Sequence, residues 1–281
     1  MLRKSISLIS LALILAGAVN AQWEPAGDKI KTEWAEEIEP ENVLPEYPRP
    51  IIKRSEWKNL NGLWDYAIRP VNAGEPEDFD GDILVPFAVE SSLSGVQKRV
   101  GKDNVLWYNH AFEVPGQWDG QKILLHFGAV DWKTEVWVND VKVGTHEGGY
   151  TPFSFDIAPY LNNRGSQELT VKVWDPTSDG PQPRGKQVNN PEGIWYTPVT
   201  GIWQTVWMEP VAEKHIADLR TTPDIDKNQV SVDAAICGGG RGDIVEVRVM
   251  ENGNMIQAAR ADASQTVNMN IESPKLWSPE S

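Results

Sequence analysis

The chain has 281 residues, with 26 basic and 40 acidic side chains and a formal net charge of -14. That balance argues against a nucleic-acid backbone or an anionic membrane surface as the main partner. A single cysteine, Cys237, excludes an intramolecular disulfide and a cysteine-based metal cluster, and the length suggests about two domains.

The first 21 residues read as an address. Met1-Leu2-Arg3-Lys4 is basic, Ile6 to Val19 is apolar apart from Ser7, Ser10 and Gly17, and Val19-Asn20-Ala21 ends in small residues at the recognition positions. This predicts a secretory signal peptide cut after Ala21, and hence an exported, periplasmic or extracellular protein. The apolar run of about 14 residues falls short of the ~20 that a membrane span needs, so no membrane partner is expected after cleavage. No cysteine follows the run to carry a lipid anchor. Cleavage removes Arg3 and Lys4 and no acid, leaving a still more acidic chain. In an oxidising compartment a lone Cys237 is expected as a small buried apolar residue.

Residues 22–50 are acidic and rich in proline, with Pro40, Pro45, Pro48 and Pro50. Thr32 to Glu37 suits a short helical turn, stopped by Pro40. The rest is expected as an extended leader, packed on a domain through Trp34 and Tyr47. From Trp57 the pattern turns to β. Strands are predicted at 63–68, 105–114, 122–127, 133–138, 141–144, 153–157, 169–174 and 202–208. Thr134, Val136 and Val138 share one face, and Asn139-Asp140 closes a hairpin. With 13 Trp against 6 Phe and 6 Tyr, an all-β sandwich is the natural host, and Trp64, Trp137, Trp174, Trp203 and Trp207 are expected in its core. About eight short strands describe a jelly roll over 51–210. The loop 175–200, rich in Pro, Gly and Asn, is long enough to be disordered or functional.

Pro210 marks a predicted boundary. Beyond it, residues 229–236 and 244–250 alternate, Glu251-Asn252-Gly253-Asn254 is a hairpin turn, and Val267, Met269 and Ile271 form a further set. This predicts the first strands of an immunoglobulin-like sandwich. Residues 211–281 fall short of the about 100 that such a domain takes, so the second sandwich is expected to be incomplete.

Several runs resemble the amino-terminal part of glycoside hydrolase family 2, the β-galactosidase and β-glucuronidase group. They are Leu60-Asn61-Gly62-Leu63-Trp64, Val85-Pro86 with Glu90-Ser91, Trp107-Tyr108 leading to Phe112-Glu113-Val114-Pro115, the run Leu125 to Ile157 with its Gly148-Gly149-Tyr150-Thr151-Pro152-Phe153, and Gly201-Ile202-Trp203-Gln204. The resemblance covers about 51–210. It implies a jelly roll, an immunoglobulin-like sandwich and a (β/α)₈ barrel carrying the two catalytic glutamates of a retaining mechanism. A barrel takes about 250 residues. The expectation is therefore a non-catalytic sugar-binding portion, inactive alone, whose partners are a carbohydrate (a terminal β-linked sugar) and a catalytic barrel.

No pattern calls for a cofactor: His110, His126, His146 and His215 have no metal-ligand spacing, and His126 suits a satisfied structural histidine. Glu90, Asp131, Glu147, Asp175 and Glu192 are expected as turn formers or solvated carboxylates. Sugar rings need an aromatic face and fixed polar groups, and the loop 184–196 supplies both kinds. The resemblance implies auxiliary sugar contacts near Asn104 and within this loop, at Lys186, Gln187, Trp195 and Tyr196. The alternative function is a free-standing carbohydrate-binding or interaction module.

Overall fold

The structure, a computed structural model, describes residues 23–28 and 30–280; the predicted signal peptide lies outside them. Gln167–Trp174 shows how alternation builds the first sandwich. Leu169, Val171 and Val173 are fully buried in the core, while Lys172 and Trp174 alternate with them on the outer face. The strand pairs antiparallel with Asn104–Phe112 on one side and Lys133–Val138 on the other. These three strands sit at the centre of a six-stranded sheet, completed by Gly62–Pro70 and Gly81–Val85 at one edge and Val141–Glu147 at the other. Facing it is a four-stranded sheet in the order Lys58–Asn59, Val206–Val211, Lys122–Phe127, Phe153–Asp156. Trp64, Tyr108, Phe112 and Phe127 fill the space between, among aliphatic side chains such as Leu106, Leu125 and Val136. Asn139 and Asp140 both take positive φ, 49° and 63°, as the tight turn of the 133–147 hairpin requires.

The fold is all-β, and its helical turns are 3-10 pieces of three to five residues among the described residues. Among the described residues no helix is long and apolar enough to cross a membrane. The predicted strand 202–208 splits into Gly201–Ile202 and Val206–Val211. Between them the chain leaves a small ribbon with Val130–Asp131 and enters the four-stranded sheet. Pro210 is the penultimate residue of this second piece. Its ring meets no lost ladder bond, because the neighbouring Lys58–Asn59 strand ends opposite Met208 and Trp207.

The outer face of the four-stranded sheet is covered by the leader. Val43 is buried, and Asn61 holds both segments: its amide donates to the Val43 carbonyl and its oxygen accepts from the Val206 amide at 2.9 Å. Tyr47 packs edge-on against Trp57. Trp34, by contrast, is 65% exposed, and Ala35 is the buried residue of its turn. The tryptophan expectation holds for Trp64; Trp207 is buried too, but on the outer face of the four-stranded sheet, stacked on His126. Trp137 and Trp174 instead join Trp107 on the outer face of the six-stranded sheet, and Trp203 is half-buried. The outer position of Trp137 and Trp174 follows from strand parity, since their neighbours Val136, Val138 and Val173 take the inward places.

Beyond Val211 a three-stranded sheet forms from His215–Asp224, Gln229–Cys237 and Val267–Asn270, beside the hairpin Ile244–Glu251 and Asn254–Asp262. Its core consists of Val232, Val245, Val267 and Met269 with partly buried aliphatic neighbours. Cys237 is exposed, contrary to expectation. Val230, Val232, Ala234 and Ile236 face inward, so period-two alternation turns Cys237 out.

Candidate functional site

The long loop between Trp174 and Gly201 is ordered by three acids that lie beneath it. Glu90, Asp131 and Asp175 are 5%, 3% and 2% exposed, which overturns their reading as solvated carboxylates; Glu147 and Glu192 are exposed. Asp175 makes the turn expected of it. Its Oδ1 accepts from the Thr177 amide at 2.8 Å and from Gln182 at 3.3 Å, and its Oδ2 accepts from the hydroxyls of Thr177 and Thr200. Glu90 Oε2 accepts from the Thr200 amide at 2.9 Å, while its Oε1 has no partner among the described residues. Asp131 Oδ2 accepts from Gln187 Nε2 at 3.1 Å. The loop ends at Gly201, with φ of 90°, where a Cβ would fall on the Tyr108 hydroxyl; that hydroxyl accepts from the Ile202 amide.

Among the described residues no cation pairs with these acids, so burial dominates their titration. Burial pushes Glu90 up to about 7 against the opposing hydrogen bonds from Thr200, and pushes Asp131 up to about 7 against the bond from Gln187. Asp175 is raised for the same reason and adds repulsion to both. Among the described residues no three acidic, histidine or cysteine side chains converge as metal ligands.

The five candidate residues occupy different places. Gln187 is buried at 8% exposure and spent on the protein: Nε2 donates to Asp131 and to the Tyr150 hydroxyl, and Oε1 accepts from the Val199 amide at 2.7 Å. It anchors the loop rather than facing outward. Lys186, Trp195 and Tyr196 lie on the outside of the same loop, the two rings 43% and 64% exposed. Tyr196 is tied back by its amide to the Lys186 carbonyl at 2.8 Å, and its carbonyl accepts from Val188. Glu192 and Gly193, with φ of 57°, form the turn that carries Trp195. Asn104 begins a strand of the six-stranded sheet, where its amide donates to the Val100 carbonyl at 2.9 Å. That bond is a local turn closure and does not bring Asn104 to the loop.

Sequence reasoning missed Arg99. Its guanidinium donates to the Asn189 carbonyl, and it lines with Glu90, Asn189 and Asn190 a small cleft of about 210 Å³ beside the loop. A carboxyl, a guanidinium and two side-chain amides thus line one cleft. Such a set can exchange hydrogen bonds with hydroxyl groups.

Comparison with known families places the region under this loop. Residues 92–207 match the family described as "Glycosyl hydrolases family 2, sugar binding domain". The chain carries a family 2 sugar-binding domain. Among curated relatives, a β-glucuronidase of Paenibacillus borealis is 26% identical over 252 residues, covering 83% of this chain and 42% of that protein. A putative β-glucuronidase of Formosa agariphila is 32% identical, covering 82% of this chain and 23% of its own length. A β-galactosidase of Thermoanaerobacter pseudethanolicus is 27% identical, with 79% and 31% covered. The chain thus spans less than half the length of these relatives. A solved β-glucuronidase of Ruminococcus gnavus in complex with D-glucuronic acid superimposes with a TM-score of 0.62 at 18% identity, covering 83% of this chain and 42% of that one. At that identity the likeness shows the shared fold. Within the family 2 domain the matched stretch includes Arg99, Asn104, Asp131, Asp175 and the whole 184–196 loop.

Proposed function

We propose that this chain is the sugar-binding portion of an exported family 2 β-glycosidase, and that it holds a terminal β-linked sugar without hydrolysing it. The observation that carries this reading is the pairing of Trp195 and Tyr196, exposed on a loop whose base is fixed by Gln187, Glu90 and Asp175. Ring faces held on a rigid base can stack on a sugar with little ordering cost. Lys186, exposed on the same loop, and Glu90, Arg99 and Asn190, which line the cleft, supply polar groups for hydroxyls. Hydrolysis would fall to two carboxylates on a (β/α)₈ barrel partner, by the retaining route of the family. Export rests on the basic and apolar pattern of residues 1–21.

The alternative is a free-standing carbohydrate-binding module, which the outward rings would serve equally. Two assays on the purified chain test the proposal together. Chromogenic β-glucuronides and β-galactosides should remain intact, and calorimetry with a panel of β-linked sugars should give a weak binding heat. Turnover that persists through purification would refute the non-catalytic reading, and a panel with no heat at all would refute sugar binding.

A further inference from the structure

A larger cleft lies elsewhere, between the leader and the outer face of the four-stranded sheet. Its volume is about 760 Å³, room for two or more sugar rings. Tyr47 and Arg49 form the leader side, Trp207 lies on the sheet, and Tyr150, Phe153 and Trp203 close the far end. Tyr150 is 49% exposed and meets Trp203 edge-on at 6.2 Å, so a ring face stays open to the cleft.

The polar groups narrow the occupant. Trp207 Nε1 and Arg49 Nη1 are buried in the walls and have no partner among the described residues. These donors are shut off from solvent, so the cleft's recognition falls to the open ring of Tyr150 and to the polar groups at its rim. Arg49 shares the fully buried Glu209 with Arg54, at 3.4 and 3.1 Å, so one positive charge is left over behind the cleft. Glu46 and Asp218 stand at the rim and are exposed. Two rim carboxylates outweigh that one cation, disfavour an anion and accept hydrogen bonds from neutral hydroxyls. We infer that this cleft is a second carbohydrate site, built for a neutral oligosaccharide. The inference does not depend on the 184–196 loop binding sugar.

The test is a titration of the chain with neutral β-1,4-linked glucose and galactose tetrasaccharides, followed by the indole N–H signals of its tryptophans. The Trp203 and Trp207 signals should shift with saturation. Ser154 lines the cleft, is exposed and lies on an edge strand, so Ser154→Trp fills the space without removing a core contact. It should weaken those shifts by about tenfold or more. Ile51→Asp, at a residue 62% exposed on the leader side, provides a second variant should the first unfold. A Trp195→Ala/Tyr196→Ala double variant should leave the Trp203 and Trp207 shifts in place. No shift with either neutral sugar, equal shifts in folded Ser154→Trp and wild type, or shifts only with acidic oligosaccharides would overturn the inference.

Discussion

Two surface segments, the leader and the 175–200 loop, are tied to the same sandwich through buried carboxylates, and their chemistry is opposite. Under the leader, Glu209 is fully buried but surrounded by donors. Tyr47 donates to its Oε2 at 2.7 Å, while Arg54 and His126 reach its Oε1 at 3.1 Å. Burial alone would raise its pKa, but these hydrogen bonds and the charge of Arg49 hold it at about 2. His126 is kept neutral by burial, with the arginines opposing its charge. As a neutral ring it donates through Nε2 to Glu209 and accepts Arg49 Nη2 on Nδ1 at 3.3 Å. It is a satisfied structural histidine. Burial and the same carboxylate push Tyr47 up to about 12. Under the loop, Glu90 and Asp131 receive amide and hydroxyl hydrogen bonds but no cation, and they rise to about 7. A buried acid is thus a permanent latch where cations meet it, and a pH-dependent one where only neutral donors do.

The largest effect is expected at the permanent latch. Glu209→Ala leaves Arg49 and Arg54 half-buried without their counter-charge and should cost about 3 kcal/mol in chemical denaturation. A loss below about 1 kcal/mol would show that the leader does not depend on this carboxylate. Next is the glycine that ends the loop. Gly201→Ala forces a Cβ at positive φ into the Tyr108 hydroxyl and should cost about 2 kcal/mol.

The pH dependence separates the two latches. Glu209 has a depressed folded pKa, so its contribution is present above the ordinary carboxylate range and disappears as pH falls towards about 2. Glu90 and Asp131 have raised folded values, so their contribution is present below the ordinary range and is lost as pH rises through about 7. A Glu90→Gln/Asp131→Asn variant keeps acceptors for Thr200 and Gln187 but cannot ionise. It should gain about 1–2 kcal/mol over wild type at pH 8 and little at pH 5, read by thermal unfolding at both values. Equal changes at the two pH values would remove the contrast. The smallest effect is expected for Gln187→Ala, about 1 kcal/mol globally, but with faster proteolysis within 184–196.

Much of the first sandwich was legible because its strands obey a two-residue period, as with Leu169, Val171 and Val173, and because Asn139-Asp140 can mean little but a tight turn. Gly81–Val85 was harder, since its Ile83-Leu84-Val85 run is apolar on both faces. His215–Asp224 alternates half-buried and exposed residues only as far as Arg220, with Ile216 on the exposed side and a bulge after it, so its hydropathy does not follow its faces. Cys237 was legible in principle, because the parity of its own strand turns it outward. The site was legible only as a loop. Burial of Glu90 and Asp131 depends on Thr200 and Gln187, which lie 110 and 56 residues away in the chain. No local pattern records which polar side chain of a loop turns inward, and that is why Gln187 was grouped with Trp195 and Tyr196.

The central claim is that the rings of Trp195 and Tyr196 hold sugar on a loop fixed from below. Saturation-transfer NMR on the chain with methyl β-glucuronide and methyl β-galactoside tests it directly. The account predicts transfer from aromatic protons to the sugar in the wild type and its loss in a folded Trp195→Ala/Tyr196→Ala variant. Transfer that is undiminished in that variant, or absent from the wild type with both sugars, would contradict it.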